Sequence, residues 1–441
     1  MPHDPDWKSR YTALLCSPAD AVAVIEPGQR VFTGVWTSTP PSLCAALAAR
    51  AGNLRDITIV GALATFDWTR PEILEHYRVV SAYTSPLDRR AAQDGRIDYV
   101  NVAQFRDGKM PPGIEADVAL VPVSPPDADG WCSLGVATWF GPTVAKNVPV
   151  LIGEVHPEYI RTGGESRIHI SRFARLAEFS AKPAPPVVPP RSEETELAAQ
   201  VICTLVANEI VYDGATVQFG IGDVSAALPV FLEERRELGV HTELLPGGIV
   251  DLVEKGVVTG QHKAVHPGKI VAAAAAQLRP DELAYIDGNP LFEFYDFTHT
   301  DDLRLLLQLE NFVAVNNALA VDIQGNAASE TMGPRIFSGT GGQNVFATAA
   351  STAAGGSVIV LPSSQLLGTG ERVSRIVAAH PEGTTSTVHR GFVDFVVTEQ
   401  GIARLRGKSL RERAMELVNV AHPELRAALR KEVHRVHGIS A

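Results

Sequence analysis

Three short segments hold residue types that could do chemistry. The first is Gln218-Phe-Gly220-Ile-Gly222, at an expected strand-to-helix junction. Glycines there let main-chain amides approach a ligand, and the start of a helix offers unsatisfied donors to an anion. A tight turn with no ligand uses the same glycines, so the pattern alone leaves both readings open. A dinucleotide fingerprint would place a third glycine where Ser225 stands, which weakens a Rossmann dehydrogenase reading. The second segment, Gly239-Val-His241-Thr242-Glu243, precedes Pro246-Gly-Gly248. On a strand, His241 and Glu243 share a face. A carboxylate at the C-terminal end of such a strand stands where open α/β sheets bind ligands. By residue type alone Glu243 is one of many glutamates, and a surface or structural role is its default reading. The third segment, Ser338-Gly-Thr-Gly341-Gly342-Gln343, carries few side chains; its asset is exposed amide N–H groups that can face an oxyanion or a phosphate. A flexible surface loop would look the same.

The elements that must position these segments read as α/β. Ile25-Glu-Pro-Gly28-Gln-Arg-Val31-Phe-Thr-Gly34 and Ile210-Val-Tyr-Asp-Gly214-Ala-Thr-Val217-Gln-Phe-Gly220 share one grammar. In each, a helix ends near glycine, a strand follows, a glycine-bearing turn follows that, and a second helix begins, expected over Pro41–Arg50 and Val224–Glu237. Short apolar runs at Ile57–Ile59, Val118–Pro122, Pro149–Ile152, Ser357–Leu361 and Phe392–Val397 suit strands covered on both faces of a largely parallel sheet. Ser17 is placed to cap a helix through Val24, and Ser409–Val420 and Pro423–Val436 read as two C-terminal helices. Between the halves lies Lys182–Arg191, KPAPPVVPPR, whose proline density excludes a helix or a central strand. The expectation is therefore two tandem open α/β/α domains with mostly parallel sheets, 1–181 and 193–441, joined by a Pro-rich linker over 182–192.

Composition bounds the function. The chain has 441 residues, 45% hydrophobic and 20% charged, which is globular rather than disordered and long enough for more than one domain. With 39 Lys and Arg against 50 Asp and Glu, the formal net charge of −11 argues against a broad nucleic-acid or anionic-membrane surface. It does not exclude a small anion gripped locally in a glycine-lined cleft. Cys16, Cys44, Cys132 and Cys203 form no CxxC pair, so reduced thiols are expected rather than a disulfide framework or a zinc site. An acidic start at Asp4 and Asp6 does not resemble a signal peptide, and apolar runs such as Ile270–Leu278 are too short to span a bilayer. A cytoplasmic protein is the expectation.

Taken together the motifs resemble a known family. Val123-Ser-Pro-Pro-Asp127 with Gly130 and Ser133-Leu-Gly135 carries the likeness in the first half. In the second half it is carried by Gly239–Leu252, Val253–Gly260, His266-Pro-Gly-Lys269, Asn289-Pro290, Val321-Asp322, Ser338–Gln343, Val373–Val377, Val396–Ala403, Leu410–Ala414 and Ala421-His-Pro423. The chain is similar throughout to the acetyl-CoA hydrolase/transferase family of class I CoA-transferases, nearest the 4-hydroxybutyrate CoA-transferase branch. The resemblance implies that Glu243 is the nucleophile, that Gly341, Gly342 and the amide of Asn316 stabilise the oxyanion, and that His241 orients its neighbours. It also implies that Gln218, Phe219, Gly220, Ile221 and Gly222, with Gly341, Gly342 and Arg372, bind CoA. Acyl-CoA and small carboxylic acids are then the substrates, no metal or prosthetic group is required, and a homodimer or higher homo-oligomer is implied.

Several positions depart from the family pattern. Asn344-Val-Phe346 follows Gln343 where relatives have an acid, and Leu361-Pro-Ser-Ser-Gln-Leu-Leu-Gly368 lacks the expected lysine, leaving Arg372 or Arg375 as the cation. Gln400 stands for a tyrosine, and Glu154-Val-His156 ends in histidine rather than asparagine. These changes admit an acceptor other than 4-hydroxybutyrate, with itaconate or succinate as dicarboxylate options. An acyl-CoA hydrolase using the same glutamate is the alternative activity; a silent acyl-CoA-binding homologue is disfavoured by the presence of Glu243.

Overall fold

The computed structural model describes residues 6–102, 105, 108–180 and 192–441. The expected linker over 182–191 lies outside them, and Ser192 begins the next helix. The chain divides into two compact units, Met1–Val187 with Val271–Asp302, and Val188–Ile270 with Leu303–Ala441. A purely tandem division would leave 271–302 with the C-terminal half. These residues pack instead with the first unit: Trp139 N–H donates to Ala273 O at 3.0 Å, Ala275 N–H to Val136 O at 2.8 Å, and Phe297 N–H to Trp139 O at 2.9 Å.

In the first unit eight strands form one wholly parallel sheet: β1 (Leu15–Cys16), β2 (Arg30–Val35), β3 (Ile57–Ala62), β4 (Tyr77–Ser81), β5 (Asp98–Tyr99), β6 (Val118–Val123), β7 (Val150–Val155) and β8 (Arg175–Glu178). Their order is β1-β8-β7-β6-β2-β3-β4-β5. β6, VALVPV, is buried at every position, as a strand with both faces covered must be. Helix α1 (Pro41–Ala48) follows β2 and packs Leu43, Cys44 and Leu47 into a core with Val31, Ile57, Val118 and Ile152.

The second unit opens with α2 (Glu193–Glu209). Ser192 accepts from Thr195 N–H at 3.2 Å, and Glu193, Glu194 and Glu196 fill the first turn, where the helix dipole favours anions. The strands it contributes to its main sheet are β9 (Thr216–Phe219), β10 (Gly239–Leu245), β11 (Phe312–Asn317), β12 (Gly356–Val360), β13 (Phe395–Thr398) and β14 (Gly401–Arg404), in the order β14-β13-β12-β11-β9-β10. All neighbours are parallel except β13 and β14. β9 is first in sequence yet lies between β10 on one side and β11 on the other. The chain reverses its direction of travel across the sheet there, and the C-terminal ends of β9, β10 and β11 frame a topological switch point.

The expected helix over Val224–Glu237 is shorter in the structure. α3 (Asp223–Ala227) passes into a 3₁₀ turn, Leu228–Phe231, because Pro229 cannot donate a main-chain hydrogen bond. The last expected helix, over Pro423–Val436, opens as a 3₁₀ turn, Pro423–Leu425, and the α-helix runs over Arg426–His437. Among the described residues no helix is long and apolar enough to cross a membrane, and no group of His, Cys, Asp and Glu is arranged to hold a metal. All four cysteines are free.

Within the first unit, Asp296 is 2% exposed and accepts from Thr298 N–H at 2.8 Å and Thr143 N–H at 2.9 Å, which ties the returning segment to the strand–helix layer. Burial pushes its carboxyl up to about 6 in spite of these donors. The folded state therefore holds the proton more tightly than the unfolded chain. Stability contributed by this group is full below pH 3.8, the ordinary value, and declines as pH rises to about 6. The expected loss across that window is about 3 kcal/mol. Denaturant unfolding between about pH 4 and 7 checks it: Asp296→Asn should show a shallower fall in stability than wild type. Parallel slopes would show that Asp296 titrates normally.

Candidate active site

The site is built on the C-terminal ends of β9, β10 and β11. The β9–β10 ladder pairs Thr216 with Gly239 and Val217 with Val240. Beyond Val240 a side chain takes over: Phe219 N–H donates to the Thr242 hydroxyl at 3.1 Å, and that hydroxyl lies 3.0 Å from Phe219 O and 3.1 Å from Leu244 O as acceptors. Thr242 is wholly buried, and strand alternation places His241 and Glu243 on the opposite face. His241 is also fully buried, whereas Glu243 keeps 8% exposure at the strand end.

There the Glu243 carboxylate meets the Gly-rich loop. Gly342 N–H donates to Glu243 Oε2 at 3.1 Å. Gly342 immediately precedes α4 (Gln343–Thr352), so the carboxylate faces the first turn of a ten-residue helix, where the dipole favours negative charge. Gly341 adopts φ +58°, a left-handed conformation that glycine takes without the strain a side chain would bring.

Beside this pair, Gln218 and Asn316 lock together: Gln218 Nε2 donates to Asn316 Oδ1 at 3.2 Å, and Asn316 Nδ2 to Gln218 Oε1 at 2.9 Å. Asn316 thus already spends side-chain donor capacity on Gln218. Phe219 is 1% exposed, so its ring belongs to the core and only its main chain serves the loop. Asn317 was not singled out by sequence, since nothing marks one asparagine among neighbours. Its side chain donates to Ile221 O at 3.4 Å and to the Ser225 hydroxyl, and its carbonyl accepts from Gln343 Nε2 at 3.1 Å. The loop Gly220–Gly222 and the start of α4 are therefore tied to one strand end.

Arg372 lies elsewhere in the second unit, on a hairpin of Ser364–Leu366 with Arg372–Ser374. Its guanidinium grips Glu194 at 2.6 and 3.2 Å and Ser364 Oγ at 2.9 Å, and the pair holds the Glu194 carboxyl below its usual range. Arg375 Nη2 donates to Gln365 Oε1 at 3.3 Å. The structure thus brings Glu243, Gly341, Gly342, Gln218, Asn316 and Gly220–Gly222 to one strand edge and commits Arg372 to a carboxylate of its own chain. Of the departing positions, Glu154 and His156 fall in the first unit, with His156 Nε2 2.9 Å from Glu154 Oε1 and its ring between Tyr159 and Phe179. Asn344 and Gln400 fall in the second, where neighbouring Glu399 accepts from Ser363 N–H at 2.9 Å.

The site is thus an acidic side chain that accepts from a main-chain amide at a helix start, at the switch point of a largely parallel α/β sheet. The comparisons make that specific. The model of the acetyl-CoA hydrolase/transferase C-terminal domain matches residues 281–433. The 4-hydroxybutyrate coenzyme A transferase of Clostridium kluyveri is 33% identical over 97% of this chain and 99% of its own. The succinyl-CoA:cyclohexane-1-carboxylate CoA transferase of Geobacter metallireducens is 32% identical over 98% of both. The crystal structure of RipA from Yersinia pestis superposes with a TM-score of 0.88 at 28% identity, covering 98% of this chain and 100% of that one. The chain belongs to the acetyl-CoA hydrolase/transferase family and is a CoA-transferase enzyme, with acyl-CoA as its substrate class.

The close approach at Gly220 yields a direct check. A Cβ there would stand 2.5 Å from Asn316 Oδ1 and 3.0 Å from both Asn316 Cα and Val315 O. Gly220→Ala must push β9 from β11 and break the Gln218–Asn316 pair. A stability loss of about 1–3 kcal/mol is expected, read as a lowered melting temperature. An unchanged melting temperature would mean that the strand ends have room to spare.

Proposed function

We propose that the enzyme moves CoA from an acyl-CoA to a short carboxylic acid through a covalent intermediate on Glu243. The observation that carries this is the Glu243 carboxylate against Gly342 N–H at the start of α4. A carboxylate oxygen attacks the thioester carbonyl, the C–S bond breaks, and an acyl-glutamyl anhydride and CoA thiolate result. The thiolate then attacks the glutamyl carbonyl, leaving a glutamyl-CoA thioester and releasing the first acid as its carboxylate. An acceptor carboxylate runs the two steps in reverse. Covalent capture conserves the thioester, which attack by water would destroy.

Each addition places negative charge on a carbonyl oxygen. Gly342 N–H, with Gly341 and the amide of Asn316 beside it, is our candidate donor set; removal of one such donor typically costs about 3 kcal/mol of transition-state stabilisation. Gln218–Gly222 is our candidate contact for CoA. Binding energy from the distant nucleotide end of CoA can then be used to desolvate and orient Glu243. Because Arg372 is paired with Glu194, a role for it in CoA binding requires exchange of that partner for a phosphate. Donors of the acetyl-CoA or succinyl-CoA type, and acceptors that are 4-hydroxybutyrate-like or dicarboxylates such as itaconate or succinate, are the substrates we propose.

Intact-mass measurement after mixing with succinyl-CoA or acetyl-CoA, without acceptor, tests the reading. A borohydride-sensitive CoA adduct on Glu243 is expected in the wild type and not in Glu243→Ala. Transfer at the wild-type rate by Glu243→Ala, with no adduct, would show that another group carries the reaction. Thiol release with and without a panel of carboxylates separates transfer from hydrolysis.

A further inference from the structure

A second acidic side chain is hydrogen-bonded to the same loop. Glu330 is 5% exposed, and both its main chain and its carboxylate reach the Gly-rich segment. Its carbonyl accepts from Phe337 N–H at 2.7 Å and Ser338 N–H at 3.2 Å. Its Oε2 accepts from the Thr340 hydroxyl at 2.7 Å, and Thr340 is itself only 7% exposed. The preceding residue adds a further tie, because Ser338 Oγ donates to Ser329 O at 3.2 Å. Ser329 Oγ in turn donates to Asn317 O at 3.1 Å, at the strand end that carries Asn316.

We propose that Glu330 is a positioning residue for the transfer reaction, acting through Thr340 to aim the main-chain N–H of Gly342 at the reacting oxygen. The inference rests on the Glu243 reading above and deepens it. Glycines at 341 and 342 have little conformational preference of their own, so the direction of the Gly342 amide must be imposed by what flanks them. On one side α4 imposes it; on the other the last anchored side chain is Thr340, one residue before Gly341 with its φ of +58°. At 2.7 Å the Thr340–Glu330 hydrogen bond has full hydrogen-bond geometry and fixes the Thr340 side chain. Burying a carboxyl side chain is costly, and preorganisation of an oxyanion donor gives that burial a purpose.

The test compares Thr340→Val, Thr340→Ser and Glu330→Gln, with Glu243→Ala as reference, by following CoA-adduct formation from succinyl-CoA in single-turnover intact-mass experiments. Thr340→Val keeps the side-chain shape but removes the hydroxyl, so it tests the contact even where changes at Glu330 itself fail to fold. Expected for Thr340→Val is a fall in the saturating rate of about 10- to 100-fold, the range for a reacting group displaced by a fraction of an ångström. The half-saturating succinyl-CoA concentration should stay within about 2-fold, because in this proposal Thr340 and Glu330 aim the loop amide and do not themselves hold succinyl-CoA. Thr340→Ser should restore most of the rate, and Glu330→Gln, which keeps an acceptor oxygen, should fall between. A wild-type rate in folded Thr340→Val, or a Thr340→Ser as slow as Thr340→Val, overturns the proposal. A CoA adduct forming in Glu243→Ala is a separate outcome, which removes the nucleophile and with it the need for an aimed donor.

Discussion

The contact on which the site depends is the one between the Glu243 carboxylate and the Gly342 amide. A carboxylate drawn almost out of water is costly unless donors replace the lost solvent. The Gly342 amide at the start of α4 supplies such a donor, where the helix dipole also favours negative charge. The geometry is set from two directions. β10 brings the carboxylate to the strand end, and the glycines at 341 and 342 let the loop lay its amides against it.

That arrangement needs strand ends that neither close up nor drift apart. Thr242 fills the place of a ladder partner opposite Phe219, so β9 and β10 stay bound where their main-chain register has stopped. On the other side Gly220 lets β9 approach β11 so closely that no β-carbon fits, and the Gln218–Asn316 amide pair closes the gap. Asn317 then links the glycine turn to the start of α4. The loop proposed to contact CoA and the loop proposed to carry the oxyanion donors are thus held by adjacent residues of one strand.

Much of this was legible in the residues. Continuous apolar runs at 118–122 and 357–361 mark buried parallel strands, and the glycine spacing at 220–222 and 341–342 marks places where main chain can come close. The serine cap at 17 was equally plain, since a hydroxyl before an acidic first turn satisfies local donors. Local signals of this kind act over a few residues, and the structure follows them. They mislead where a proline intervenes: the run after Val224 has helical periodicity, yet Pro229 turns it into a 3₁₀ segment.

The sequence by itself determined an α/β protein and the candidate nucleophile segment with its glycine-rich partners. Only the tertiary structure decided that residues 271–302 pack with the first unit, and that Arg372 is taken by Glu194. It alone placed Asn316 with Gln218, and brought Glu330 to the loop that faces Glu243. The reason is physical. Periodicity, caps and glycine conformations are properties of neighbours along the chain, whereas these pairings join residues 98 to 178 positions apart or within a loop whose closure no local preference dictates.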